Sequence, residues 1–236
     1  MPDAPTARLG DMHTCPMVTP GVPPIPHVGG PILPPCWPTV MEGDQPDARI
    51  LDLAQCVGPP DPIAQGSATV LVGGLPTARM LDPTSHGGVI VIGLPTVIVG
   101  GPVVAMGVAL GSTKPFILAL QKALSEILPT TSGAKFLTAL AATGRKITFQ
   151  QVGDDSGFCL KVGDNPEGCD SVIGWNPERE ILDPASSGTK GTPGPALILA
   201  SGLITALANA SGSPAEGLTE NSFRHDLGLE SRESEA

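Results

Sequence analysis

The apolar positions of this chain follow two different rhythms. Before residue 101 they come as short β-branched runs, Val70-Leu71-Val72, Val89-Ile90-Val91-Ile92 and Val97-Ile98-Val99, each closed by a glycine. Runs of that length and composition predict short strands ended by turns. Residues 12–36 carry proline at a density that excludes helix and central strand alike, and predict a stiff extended loop. After residue 114 the period becomes helical. Phe116, Leu120, Leu124 and Leu128 share one face, with Lys122 and Glu126 on the other, so a helix is predicted to start at Pro115. Between Gly144 and Trp175 the pattern alternates. Ile147, Phe149 and Gln151 on one strand and Phe158, Leu160 and Val162 on the next predict a hairpin turning at Asp154-Asp155-Ser156-Gly157. Leu197-Ile198-Leu199, Leu203-Ile204 and Leu207 form the apolar stripe of a second helix, expected at 195–208. Residues 230–236 are polar without apolar anchors and are expected to be a disordered, solvated tail. The fold class expected from these elements is α+β.

The first segment is also repetitive. A unit Pro-x-Ala-Arg-x-x-Asp occurs at Pro5 to Asp11, Pro46 to Asp52 and Pro76 to Asp82. The stretches beginning at residues 36 and 66 align at a constant offset of 30, and Pro95 to Gly101 begins a further partial copy. Each copy is too short to bury its own apolar face, so the copies are expected to wind together into one compact β-rich body. The Arg and Asp of each unit are read as a salt bridge or turn cap rather than as catalytic groups. Four residues after each Asp stands a candidate metal ligand, Cys15, Cys56 or His86, and the proline-rich loop adds His13 and His27. A repeated backbone element presenting such side chains suggests that they meet at one point.

Composition narrows the function. A formal charge of −10 with only 13 Lys and Arg excludes the clustered cations that hold phosphate backbones, so no nucleic-acid partner is expected. No apolar stretch reaches membrane-spanning length without interruption and no signal-peptide pattern opens the chain, so synthesis in the cytoplasm and export by some other route are expected. There are 30 Gly, 27 Pro, 5 Phe, 2 Trp and no Tyr. The interior of the first segment must therefore be built without the usual aromatic filling. Five cysteines, an odd count, favour metal binding or burial over a disulfide framework.

Residues 5 to about 101 resemble the PAAR-repeat family. The resemblance rests on the three Pro-x-Ala-Arg copies, on Gly10-Asp11-Met12-His13-Thr14-Cys15-Pro16 and Pro26-His27-Val28-Gly29-Gly30-Pro31, and on Cys56-Val57-Gly58-Pro59-Pro60-Asp61 and Ser85-His86-Gly87-Gly88-Val89. It implies a small conical β-structure that caps the trimeric spike of the type VI secretion system and binds one structural zinc through three His and one Cys. Carried onto this chain, the ligands would be His13, His27, Cys56 and His86, with Cys15 the alternate if His13 points away. Asp47 and Thr77 stand where the family motif has an Ala.

More weakly, residues 145–229 resemble zinc metallopeptidase effectors, through Gly168 to Pro177, the helix after Pro195 and Thr219-Glu220-Asn221. That resemblance implies a helix bearing His-Glu-x-x-His, but Ser201, Gly202 and Thr205 occupy those places and leave Glu220 as a remnant ligand without companions. No catalytic residue is therefore assigned, His225 reads as a surface residue, and Cys159 and Cys169 read as unpaired thiols. The expected organisation is a zinc-binding spike-tip domain at 1–101, a linker at 102–114, a degenerate metallopeptidase-like effector domain at 115–229 and the tail. The expected function is a spike-tip protein that delivers its C-terminal domain into target cells by type VI secretion, with an immunity protein or chaperone as a further partner. The alternative is an active C-terminal toxin, a metal-dependent peptidase or another hydrolase.

Overall fold

The computed structural model describes residues 3–153, 158–178 and 195–229. The expected turn at 154–157 and the expected tail at 230–236 lie outside the described residues. The chain divides into two compact units, Met1–Ser112 and Thr113–Ala236. The class is α+β: short strands make up the first unit, and the second holds helices α1 (Lys114–Ile127), α2 (Thr131–Thr143), α3 (Pro195–Ser211) and α4 (Glu220–Asp226).

The three Pro-x-Ala-Arg units of the first unit close into a ring. The backbone N–H of Ala7 donates to Ala78 O, Ala48 to Ala7 O and Ala78 to Ala48 O, at 2.9, 2.9 and 2.8 Å. A second ring joins the next positions, where Leu9, Ile50 and Met80 donate to Pro46, Pro76 and Pro5. Each copy thus completes its hydrogen bonding only on its neighbours, and none is a folding unit alone. Alanine is required by this closeness: Ala7, Ala48 and Ala78 are all fully buried. They form one core with Ile32, Cys36, Ala54, Ile63 and Ile90. Small residues packed around a tight ring replace the missing aromatics.

Within each copy the Arg folds back on the Asp three residues later. The contacts Arg8–Asp11, Arg49–Asp52 and Arg79–Asp82 measure 3.1, 3.2 and 3.1 Å. Each Asp also accepts the backbone N–H of its own Arg. These pairs are turn clasps, as their spacing suggested. The residue between them turns left-handed, with φ +86° at Gly10, +69° at Leu51 and +75° at Leu81. Glycine adopts that backbone freely, whereas leucine is strained by about 1–2 kcal/mol. Leu51 is fully buried and earns its place by packing, but Leu81 is 54% exposed. We expect Leu81→Gly to stabilise the first unit by about 0.5–1 kcal/mol, after the greater freedom of glycine in the unfolded chain is deducted. A urea denaturation midpoint that fell would contradict this.

Val103–Val108, inside the stretch expected to be a linker, is a strand paired antiparallel with Gln65–Ser67. Val104, Met106 and Val108 are buried there. The glycines and small residues of 102–114 suggested a linker, but residues 103–106 alternate inward as a strand requires.

In the second unit, α1 spans the predicted helix, with Thr113 Oγ1 accepting the Phe116 N–H as its cap. Helix α2 has no counterpart among the predicted elements, although its signals stand in the sequence: the Thr130 cap, buried Phe136, Leu137 and Leu140, and a left-handed stop at Gly144. Helix α4 likewise has no counterpart among the predicted elements; it opens with a capping box between Thr219 and Ser222. Asp226 near its end accepts the N–H of Ser132 at 2.7 Å, at the start of α2, and hydrogen bonds from Ser132 hold its carboxyl below the ordinary range. Helix α3 buries Leu197, Leu199, Ala200, Leu203, Ala206 and Leu207, the expected stripe in substance. No helix among the described residues is long and apolar enough to cross a membrane.

The predicted hairpin is not formed. Lys146–Gln151 and Phe158–Val162 are not neighbours; both flank Asp170–Trp175, the first in parallel and the second antiparallel. Ile173 and Trp175 make that strand the most deeply buried of the three, which suits the central place, while Leu160, Lys161 and Val162 are exposed as an edge requires. Alternation reported the faces of these strands, not their order.

Candidate metal centre

Four side chains from distant parts of the first unit converge on one point. The ligand atoms of Cys15, His27, Cys56 and His86 all lie within 4.8 Å of one another. The backbone delivers each for an identifiable reason. Cys15 follows Thr14, whose N–H donates to Val89 O at 2.9 Å. Gly88 makes that approach possible, since a Cβ there would stand 1.6 Å from Thr14 O. His27 ends the small pair Val18–Thr19 with Ile25–Pro26, and its N–H donates to Met17 O. Cys56 closes the strand Leu53–Cys56, opposite Gly29. His86 sits in a turn whose N–H donates to the buried carboxylate of Asp61 at 2.9 Å.

The donor atoms face each other. Cys56 Sγ lies 3.2 Å from His27 Nδ1 and Cys15 Sγ lies 3.8 Å from His86 Nδ1. The two imidazoles meet edge to face, with ring centroids 5.5 Å apart. A tetrahedral zinc with bonds of about 2.0–2.3 Å holds its donors roughly 3.3–3.8 Å apart, so these separations suit such an ion. His27 Nε2 is 2.7 Å from Thr19 Oγ1, and a proton placed there leaves the Nδ1 lone pair for the centre. Both imidazoles are buried and both thiols half-buried.

Electrostatics separates the histidines. Burial disfavours the charged form of His86 and lowers its pKa against the opposing pull of Asp61, which leaves it neutral as a ligand must be. His13 behaves oppositely: burial works against its charge, but hydrogen bonding to Asp61 and to the Gly30 carbonyl outweighs this, and its pKa is raised. Burial pushes the Cys56 thiol up to about 12, helped by its hydrogen bond with Cys15. Without an ion, then, the Cys56 sulfur keeps its proton, and a divalent metal displaces it on binding.

His13 is the ligand expectation that the structure does not bring into the group. Its Nδ1–H donates to Gly30 O at 2.9 Å and its Nε2 stands 3.4 Å from Asp61 Oδ2. It therefore reaches the cluster only through Asp61, and Cys15, the alternate, stands in its place. Asp61 itself was not singled out from the sequence. It is fully buried and accepts from Thr84 Oγ1 at 2.6 Å as well as from His86 N–H. Its only sequence signal is an acidic residue after Pro59-Pro60.

The residues chosen in the second unit are not assembled into a comparable centre. Among the described residues, the group in the first unit is the one in which three or more His, Cys, Asp or Glu could share an ion. Ser201 Oγ donates to Glu220 Oε2 at 3.2 Å, and Glu220 Oε1 accepts from Arg224 Nε at 2.9 Å. Thr205 turns its hydroxyl back to the Ser201 carbonyl. Gly202 faces the sheet, where an added Cβ would stand 3.0 Å from Ile173 Cγ2. It is a close-packing residue, and its lack of a side chain has a structural cause. His225 is exposed. Cys159 and Cys169 are unpaired: the Cys169 thiol donates to the carbonyls of Gly163 and Asn165, and Cys159 accepts from Asn209.

No curated protein matches the chain. A family model does, over a span that contains two of the three Pro-x-Ala-Arg units and three of the four converging ligands, His27, Cys56 and His86. Residues 22–92 match the family described as PAAR motif.

Proposed function

We propose that the chain is a spike-tip protein of a type VI secretion system, with a structural zinc in its first unit and its second unit carried as cargo. The observation that carries this reading is the PAAR motif on a body of three backbone-linked repeats. A ring of three similar copies offers one chain a quasi-threefold face, the symmetry needed to cap a trimer without a mismatch. Cys15, His27, Cys56 and His86 would hold the zinc. When bound, the ion supplies a cross-link among four segments of the chain, and a four-donor shell leaves no open position for a substrate. Export by that secretion route follows from the same reading, as does delivery of the second unit as an effector-like domain.

The test is co-purification of the full chain with a trimeric type VI spike protein encoded beside it, followed by light-scattering mass measurement. The expected complex holds one chain per trimer. Absence of a complex, or three chains per trimer, would refute capping by a quasi-threefold face.

A further inference from the structure

The centre holds two sulfurs rather than one, and this gives it a chemistry that a set of three imidazoles and one thiol does not have. Cys15 and Cys56 come from segments far apart in sequence, yet their Sγ atoms lie within 4.8 Å of one another. Both are half-buried, so a small oxidant reaches them. Of the other thiols, Cys36 and Cys169 are buried and donate to backbone carbonyls, and Cys159 contacts Asn209. Hydrogen bonds also tie the two imidazoles to the protein. His27 is held by Met17 O and Thr19 Oγ1, and His86 by Asp61.

We propose that Cys15 and Cys56 form a redox clasp: reduced, they complete the metal centre, and oxidised by a small-molecule disulfide such as oxidised glutathione, they join to each other and release the ion. The proposal rests on the reading of the four residues as one metal site. One thiolate attacks a sulfur of the oxidant, whose S–S bond breaks and expels one glutathione thiolate with the electron pair. The second protein thiolate then attacks the protein sulfur of this mixed disulfide and expels the second glutathione. The two thiols lose two electrons and two protons in all, and the oxidant becomes two thiols. The second step is intramolecular and favoured by proximity. The sulfurs need only close from within 4.8 Å to the covalent distance of about 2.0 Å. Of the four donors, His27 and His86 then remain, too few to retain the ion, while the new bond ties together two of the segments that the ion had joined.

The experiment uses the full chain loaded with zinc under reducing conditions and then transferred to oxidised glutathione. Released zinc is read with a chromogenic chelator, and the linkage by peptide mapping. The expected result is loss of nearly all bound zinc together with a Cys15–Cys56 disulfide, both reversed by dithiothreitol. The Cys15→His variant, which keeps four donors but only one sulfur, is expected to lose at least tenfold less zinc under the same oxidant. Zinc release without a Cys15–Cys56 linkage, or linkage through Cys36, Cys159 or Cys169 instead, would overturn the clasp; so would an unreacted pair that keeps its zinc. If the reduced wild-type chain holds no zinc, the metal reading itself fails. Mapping the metal-free chain then decides the thiol pair separately: a Cys15–Cys56 disulfide upholds its proximity, and its absence refutes it.

Discussion

A chain carrying His27→Ala and Cys56→Ala together is expected to bind no zinc, where the wild type holds about one ion per chain. The two residues stand in donor contact at 3.2 Å, and removing both leaves one thiol and one imidazole. The loss should reach the fold. Val18, Val22, Ile25 and Val28 of the proline-rich loop that carries His27 are exposed, so little apolar burial holds that loop in place. The backbone rings around Ala7, Ala48 and Ala78 lie elsewhere in the repeats and should survive. We therefore expect a partial destabilisation of about 3 kcal/mol, or roughly 15 °C in the melting temperature of a unit of this size, rather than complete unfolding. A strong chelator acting on the wild type should reproduce the shift. The sign of its pH dependence follows from the thiols. The Cys56 pKa of about 12 in the ion-free protein means that binding must expel protons, so zinc affinity falls as the pH is lowered. Emission spectrometry and calorimetry on the two chains decide the matter. Equal zinc content, or equal melting with zinc lost, would remove the structural role.

The second large effect is expected at Asp47, where the threefold pattern is broken. Thr6, Asp47 and Thr77 hold the same position in the three copies, and both hydroxyls donate to Asp47 Oδ1, at 3.2 and 2.8 Å. Asp47 is fully buried, and its other oxygen has no hydrogen-bond partner. Burial is the main cause that lifts its pKa from 3.8 to about 7, opposed by the two threonines and reinforced by Glu42. Between those two values the folded state binds a proton that the unfolded state releases. This contribution to stability is therefore full below about pH 4 and is lost as the pH rises through about 7, at up to roughly 1.4 kcal/mol per unit. Asp47→Asn keeps an acceptor for both hydroxyls but cannot ionise. At saturating zinc, the variant should show a flatter stability curve between pH 4 and 7 and exceed the wild type above pH 7. Urea denaturation at pH 5 and 8 reads the difference. Parallel curves for the two proteins would show that Asp47 is not held against ionisation.

The repeats and the helical stripes were legible because they are local. A clasp between Arg49 and Asp52 spans three residues, and α1 and α3 advertise themselves by apolar spacing along one segment. The periodic places of Cys15, Cys56 and His86 were readable for the same reason: a repeated backbone carries its side chains to repeated positions. Helix α2 was equally local but easy to pass over, because Gly133 and four alanines dilute its stripe. Strand order was not local at all. Alternation told that Ile147 and Phe149 face inward but not that Asp170–Trp175 lies between the two strands expected to pair. Val103–Val108 likewise became a strand only because Gln65–Ser67 offers it an edge. The choice between His13 and Cys15 was the most distant decision. Both lie in one short stretch and both can bind zinc, but Asp61, placed by a different strand, takes the His13 ring for itself and leaves the thiol at the centre. Sequence by itself determined which residues recur and which could donate to a metal. Tertiary structure alone decided which of them meet, because a buried carboxylate competes for an imidazole only once the chain has brought the two together.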